Sequence, residues 1–103
     1  MALEQIYANI TKYAPDFDRG LIERAWETAN SAHAGQVRES GEPYITHPLA
    51  VAEILTDLEQ DIETVVAGLL HDVVEDTDTT LEDIEAEFGP EIALLVDGVK
   101  HGV

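Results

Sequence analysis

The sequence predicts an all-α protein of about six helices that forms a single domain. Apolar residues recur at spacings of three and four along most of the 103 residues, as expected for amphipathic helices. No stretch shows the alternation of apolar and polar residues that is typical of strands. Capping residues, prolines and glycines divide the helical pattern into segments. A chain of this length can build one hydrophobic core but not two.

The first two predicted helices are amphipathic. The first covers about residues 3–12, and the proline-containing segment 14–16 ends it. Asp16 or Asp18 then caps the second helix, which runs to about His33. We expect His33 to be a structural or capping histidine rather than a ligand. The following segment, 35–44, carries two glycines and a proline without repetition, which predicts an ordered binding loop.

The third and fourth predicted helices are the most apolar. Pro48 lies in the first turn of the third helix, with Thr46 or His47 near the cap. The breadth of its apolar face predicts a mostly buried helix. After a polar break at 59–61, the fourth helix is expected over about residues 62–74. It has almost no polar face ahead of His71, so it is predicted to be the core helix.

The last two predicted helices have clear start and stop signals. Thr80 and Asp83 resemble a capping box at the start of the fifth helix, which runs to about Phe88. Gly89 ends it, and Pro90 begins the sixth helix.

The charge of the chain is strongly negative and limits its partners. Twenty-two acidic residues against five basic ones give a formal net charge of −17. This field repels nucleic acid and anionic membranes, so neither is expected as a partner. The scarcity of lysine suits a salt-adapted surface, but an acidic half of a longer protein explains it equally well. A charge-driven interaction protein is a third interpretation. An anionic substrate requires a local cation.

The residue types present also limit where in the cell the protein is expected and which kind of metal site it can have. The chain has no cysteine, so histidine and carboxylate must bind any transition metal. No apolar run approaches the roughly 20 residues of a membrane span. The N-terminus lacks the basic start and apolar core of a signal peptide. A cytoplasmic protein is therefore expected.

The end of the fourth predicted helix carries the residues that point to chemistry. Glu75 follows His71 by four positions and Asp72 by three, and Asp76 follows Asp72 by four. At helical spacing, an imidazole and three carboxylates therefore lie on overlapping faces. Like charges at this spacing destabilise a helix unless a cation lies among them. A divalent metal is the simplest explanation.

His47, at the start of the neighbouring apolar helix, can add a second imidazole. Together with His71 and Asp72 it offers three ligands that suit manganese, iron or zinc better than calcium. Such an ion activates water and polarises a phosphoryl oxygen, as phosphoester hydrolysis requires. Glu75 and Asp76 can then orient or deprotonate the water. The alternatives are a satisfied core histidine at 71 and a solvated acidic helix end.

Arg38 is the only basic residue between Arg24 and Lys100, and it lies in the predicted binding loop. A guanidinium in such a loop can stack on a base or bind a phosphate. A surface pair with Glu39 or Glu42 explains Arg38 equally well.

Six motifs occur in an order that resembles one known family. They are Ala32-His-Ala-Gly-Gln36, Arg38-Glu-Ser-Gly-Glu-Pro-Tyr-Ile45, His47-Pro-Leu49, Leu70-His-Asp-Val-Val-Glu-Asp-Thr77, Phe88-Gly89 and Val96-Asp-Gly-Val99. Together they resemble the N-terminal hydrolase region of the RelA/SpoT homologue proteins, a branch of the HD-domain metal-dependent phosphohydrolases. The resemblance covers about residues 20–100.

The resemblance implies an HD-domain-like helical bundle that binds one manganese ion. It also implies an activity, the removal of the 3′-pyrophosphate from the alarmones ppGpp and pppGpp in the stringent response. Three residues match the family's metal ligands: His47, His71 and Asp72. Glu75 and Asp76 match its acidic catalytic pair.

The resemblance extends to the nucleotide-binding loop. Arg38 matches the arginine that packs on the guanine, and Ser40 lies nearby in the same loop. Glu39 stands where family members usually carry a lysine, and residues 100–103 do not match the family's usual continuation.

The resemblance covers only the first half of the hydrolase domain. The family's fourth metal ligand, an aspartate, lies downstream of the matching region. Residues 1–103 are therefore expected to be a partial HD domain, truncated at its C-terminal side. An apolar face left uncovered predicts a homo-oligomer. The alternative function is a non-catalytic module that keeps the fold and binds a nucleotide or a protein partner.

Overall fold

The computed structural model describes residues 3–34, 41 and 46–100, and within these ranges it contains six α-helices and no strand. The helices are α1 (Glu4–Tyr13), α2 (Arg19–Ala32), α3 (Thr46–Asp57), α4 (Ile62–Asp76), α5 (Leu81–Phe88) and α6 (Pro90–Lys100). Inside α3, α4 and α6, the side chains of residues 46, 47, 75, 76, 99 and 100 are outside the description. The predicted all-α class is confirmed. The predicted loop 35–44 lies outside the described residues, apart from Gly41.

None of the helices in the described ranges has the length and apolar character needed to cross a membrane.

Aspartate caps begin two of the helices. Asp18 accepts a hydrogen bond from the backbone N–H of Leu21 at 3.2 Å, so the structure selects Asp18 over Asp16 as the cap of α2. Asp61 caps α4 by accepting from the Thr64 N–H at 2.9 Å. Hydrogen bonds from the side chain and the backbone of Thr64 lower the pKa of the Asp61 carboxyl. A charged cap also suits the positive end of the helix dipole.

The capping and stop signals identified in the sequence set the start of α5 and its connection to α6. Thr80 Oγ1 accepts from the Asp83 N–H at 3.2 Å, and Asp83 accepts from the Thr80 N–H at 3.1 Å, which completes a capping box. Gly89 follows α5 with a φ of 95°, a conformation that costs glycine little. Pro90 then begins α6 directly, so a single residue joins the two helices.

The hydrophobic core is centred on α4, as predicted. Every residue from 65 to 70 is buried, and α4 packs against α2, α3 and α6. Full burial of a valine or leucine side chain contributes roughly 1.5–3 kcal/mol, so this one helix provides much of the apolar burial. α4 continues to Asp76, two residues beyond its predicted end, so Glu75 and Asp76 belong to its last turn.

α3 is less buried than its apolar sequence predicts. Among its described side chains only Pro48, Ala52 and Thr56 are buried, at intervals of four residues. Ile54 is 59% exposed, and Leu58 just after the helix is 63% exposed. The expectation of a mostly buried helix is therefore wrong. The reason is position: α3 lies at the edge of the bundle and packs mainly against α4 and α1.

Gly68 sets the distance between α3 and α4. A Cβ atom at position 68 would lie 2.6 Å from Leu55 Cδ1 and 3.5 Å from Val51 Cγ1. The shorter distance is far inside the carbon–carbon contact distance of about 3.5–4.0 Å. A side chain here would displace Leu55, and a larger one would separate the helices. The sequence analysis did not single out Gly68, although a glycine inside an apolar helix signals close packing.

Polar contacts join α1 to α3 and to the turn that follows it. The amide of Asn9 donates to Thr56 Oγ1 at 3.0 Å and to Asp57 Oδ1 at 3.2 Å. The Tyr13 hydroxyl donates to the backbone carbonyl of Gln60 at 2.7 Å. Burial raises the pKa of Tyr13, so its hydroxyl stays protonated as a donor. These contacts hold the end of the α3–α4 hairpin that is opposite to His71.

The α3–α4 packing can be tested with the same substitution at two glycines. Gly68→Val should lower the free energy of unfolding by about 1–3 kcal/mol, because it overpacks the helix interface. Gly98→Val is the matched control, since a Cβ atom at this position in α6 would meet nothing within 4 Å. It should change the stability by less than about 0.5 kcal/mol. Urea unfolding measures both, and equal effects would contradict the close approach at Gly68.

Candidate metal centre

His71 and Asp72 lie side by side near the end of α4. The distance from His71 Nε2 to Asp72 Oδ1 is 3.3 Å, and the two side chains are 14% and 13% exposed. Because both groups are largely removed from water, their electrostatic interaction is stronger than that of a surface pair.

The second ring nitrogen of His71 determines which nitrogen can bind a metal. His71 Nδ1 lies 2.7 Å from the backbone carbonyl oxygen of Gly68, one turn earlier in α4. A carbonyl oxygen only accepts hydrogen bonds, so Nδ1 carries a proton and donates it. In the neutral ring, Nε2 then carries the lone pair. Metal-binding histidines are commonly oriented by such a bond from the other nitrogen.

The facing atoms of His71 and Asp72 are suited to hold a cation between them. A neutral Nε2 and a carboxylate oxygen both present lone pairs, so they repel at 3.3 Å unless a proton or a metal cation lies with them. Two ligands that are each about 2.1 Å from one ion lie about 3.0–3.4 Å apart in octahedral or tetrahedral geometry. The observed distance falls in this range. The pair therefore fits two ligand positions of one divalent ion.

Two of the three predicted ligands are thus adjacent, and the third is not tested. The side chain of His47 lies outside the described residues, as do those of Glu75 and Asp76. Within the part of the chain that the structure describes, no group of three histidine or carboxylate side chains could hold a metal. His47 as a ligand therefore stays a prediction.

The packing of α3 on α4 places position 47 at the same end of the hairpin as His71. A four-residue turn joins the two helices, so they run in opposite directions. Gly68 of α4 faces Val51 and Leu55 of α3. From Gly68, His71 lies three residues further along α4. From Val51, position 47 lies four residues back along α3. Because the helices are antiparallel, both steps lead about 5 Å towards the same end of the hairpin.

The predicted nucleotide contacts, Arg38 and Ser40, also lie outside the described residues. The described residues on either side of their segment can be located. Ser31 near the end of α2 and Thr79 after α4 line one surface depression, so the end of α2 lies near the C-terminal end of α4. α3 begins at Thr46, at the end where His71 lies. The end of α2 and the start of α3 therefore both lie at the end of the bundle that carries His71 and Asp72.

Among the side chains that the structure describes, the other histidine and both arginines have structural roles. His33 is the C-cap residue of α2 and is 3% exposed, which agrees with the predicted capping role. The guanidinium of Arg19 lies 5.0 Å from the centre of the Tyr7 ring, and that of Arg24 lies 5.9 Å from the centre of the Phe88 ring.

Known proteins resemble this chain in sequence. Residues 25–101 match the family model described as HD domain. A probable GTP pyrophosphokinase of Mycobacterium leprae is 54% identical over 97 residues, which cover 94% of this chain and 12% of that protein. The bifunctional (p)ppGpp synthase/hydrolase SpoT of Escherichia coli is 49% identical over 97 residues, which cover 94% of this chain and 14% of that protein.

The fold is also similar to that of a solved structure. A metazoan ortholog of SpoT, described as hydrolysing ppGpp, matches with a TM-score of 0.75 and 36% identity. The match covers 81% of this chain and 49% of that chain. The chain therefore spans about an eighth of the curated relatives and about half of the solved structure. It belongs to the HD domain family and is similar, within that family, to the RelA/SpoT homologues.

Proposed function

We propose that this protein is a metal-dependent hydrolase that removes the 3′-pyrophosphate from ppGpp and pppGpp. The observation that carries the proposal is the His71–Asp72 pair, in which an oriented imidazole nitrogen faces a carboxylate oxygen at 3.3 Å. The substrate comes from the similarity to a structure described as that of a ppGpp hydrolase. The E. coli relative is named as both a synthase and a hydrolase, whereas the solved structure, of which the match spans about half, is described by hydrolysis alone, which favours hydrolysis over synthesis.

In this proposal His47, His71 and Asp72 hold one manganese ion, with iron or zinc as alternatives. When bound, the ion supplies Lewis acidity towards a phosphoryl oxygen and a water molecule. His71 presents Nε2 because its Nδ1 proton is donated to Gly68. The negative charge of Asp72 balances part of the ion's charge. The remaining positive charge attracts an anionic nucleotide locally, whereas the net charge of −17 repels it at long range.

Glu75 and Asp76 are the proposed catalytic pair. Both belong to the last turn of α4, and Glu75 follows His71 by one helical turn. One carboxylate takes a proton from the attacking water. The water oxygen bonds to the phosphorus attached to the ribose, the bond from that phosphorus to the 3′ oxygen breaks, and a proton passes to the 3′ oxygen. The products are pyrophosphate and a 3′-hydroxyl nucleotide.

Arg38 and Ser40 are the proposed nucleotide contacts. A guanidinium can stack on the guanine ring, and a hydroxyl can hydrogen-bond to its edge or to the sugar. Support comes from the helix ends on either side of their segment, since the end of α2 and the start of α3 both lie at the His71 end of the bundle. A cytoplasmic location and the exclusion of nucleic acid and membranes stay predictions from the composition.

Hydrolysis can be tested with one substitution made at two aspartates. Asp72→Asn should lower the manganese-dependent release of pyrophosphate from ppGpp by at least about 100-fold. Losing a residue that only hydrogen-bonds to a metal ligand lowers activity about 10–100-fold, and losing a direct ligand should lower it further. Asp78→Asn is the matched control, since Asp78 is exposed in the turn after α4. It should retain the activity of the unaltered protein.

Two further measurements separate the possible outcomes of this experiment. Glu75→Gln should slow release by about 10²–10⁴-fold and leave manganese affinity unchanged, because this carboxylate acts on the water. Equal release by Asp72→Asn and the unaltered protein would contradict the metal site. Nucleotide binding without any release of pyrophosphate would favour the alternative, a non-catalytic module.

We also propose that copies of the chain associate through α3. Ile54 and Leu58 are four residues apart and are 59% and 63% exposed, so they form one apolar face. Apolar faces of this kind are commonly covered by association. Light scattering in salt that screens the negative charge should give the mass of two or more chains, and Ile54→Asp should reduce it to one. A single-chain mass for the unaltered protein would contradict this association.

A further inference from the structure

A groove on the surface runs between α5 and α6, and no step of the proposed reaction uses it. Its walls include Leu81, Glu82 and Glu85 from α5, and Pro90, Leu94 and Asp97 from α6. We refer to it as the α5–α6 groove. Its lining combines apolar side chains with three carboxylates, those of Glu82, Glu85 and Asp97. We call the side of the groove that carries these carboxylates its rim.

Leu94 is the most exposed large apolar residue of the described chain, at 72%. Its neighbours on α6, Ile92, Ala93 and Val96, are 4%, 7% and 0% exposed and account for the packing of this helix on the core. Leu94 therefore contributes little to the fold. A leucine that is buried by a partner contributes roughly 1.5–3 kcal/mol, so Leu94 is suited to binding.

Local contacts position both walls of the groove. The capping box at Thr80 fixes the start of α5, and the single residue Gly89 joins it to α6. Ile84 and Phe88, which are 1% and 9% exposed, pack α5 against the core. A preformed groove loses little conformational entropy when a partner binds.

The charge of the rim selects the kind of partner. Glu82 and Glu85 are exposed, and the described lining residues include no lysine or arginine. A second copy of this chain, with a net charge of −17, would bring further carboxylates to the rim. A segment with lysine or arginine beside an apolar side chain complements both the rim and Leu94.

We propose that the α5–α6 groove is a docking site for a helical segment of a partner protein that carries large apolar residues flanked by lysine or arginine. The apolar residues contact Leu94 and the other apolar lining residues, and the basic residues face Glu82 and Glu85. This is the arrangement by which amphipathic helices bind apolar grooves. The proposal does not depend on hydrolytic activity.

A synthetic peptide tests the groove in the whole chain. The probe is a fluorescent helical peptide of about 15 residues with leucines on one face and lysines beside them. Fluorescence anisotropy should show saturable binding. Leu94→Ser should weaken it about tenfold, because a buried leucine is lost. Since Leu94 is largely exposed, the thermal midpoint of unfolding should stay unchanged. A peptide with serine in place of leucine should bind at least tenfold more weakly.

A pair of charge-matched variants separates docking from general attraction to an acidic protein. Glu85→Lys should weaken peptide binding at least about threefold more than Asp16→Lys does. Both variants change the net charge equally, and Asp16 is an exposed residue outside the groove. Equal effects of the two variants, or equal binding of the leucine-free peptide, would overturn the proposal. So would a dimer in light scattering that Leu94→Ser separates, because the groove would then bind a second copy.

Discussion

The close approach of α3 to α4 at Gly68 is the constraint on which the rest of the structure depends. The absence of a side chain at this position lets Val51 and Leu55 pack directly on α4. The same residue orients the candidate site, because its carbonyl oxygen accepts the hydrogen bond from His71 Nδ1 at 2.7 Å. One position thus brings the two helices together and leaves Nε2 as the ring nitrogen that faces Asp72. The proposed ligand His47 lies on the helix that this contact holds in place.

Electrostatics explains why a chain so acidic can have a nucleotide as its proposed substrate. The net charge of −17 opposes an anion at long range, and Arg19 and Arg24 lie over aromatic rings. The His71–Asp72 pair offers a place where a cation is favoured, because two lone-pair donors face each other there. The sequence predicted both residues as ligands, because Glu75 and Asp76 follow them at helical spacing and His47 begins the neighbouring helix. It did not predict the ring tautomer, which depends on where the His71 side chain lies relative to a carbonyl.

Local signals predicted most of the architecture and failed where distant residues meet. Caps, prolines and glycines located all six helices, although they left two candidates for the cap that Asp18 provides. The burial of α3 was overestimated because apolar spacing does not reveal how many neighbours a helix has, and Ile54 is exposed at the edge of the bundle. The role of Gly68 and the bond from Asn9 to Thr56 were missed, since both depend on partners that only the folded chain brings close.

The most direct test of the central claim is nuclear magnetic resonance of the imidazole nitrogens during titration with zinc, a diamagnetic ion that accepts the same ligands. Without metal, His71 should show a protonated Nδ1. With metal, its Nε2 resonance should move to a metal-bound position while Nδ1 keeps its proton, and His47 should respond in parallel. The buried cap residue His33 serves as the internal control and should not change. A His71 Nε2 resonance that stays unchanged at saturating zinc would contradict the account.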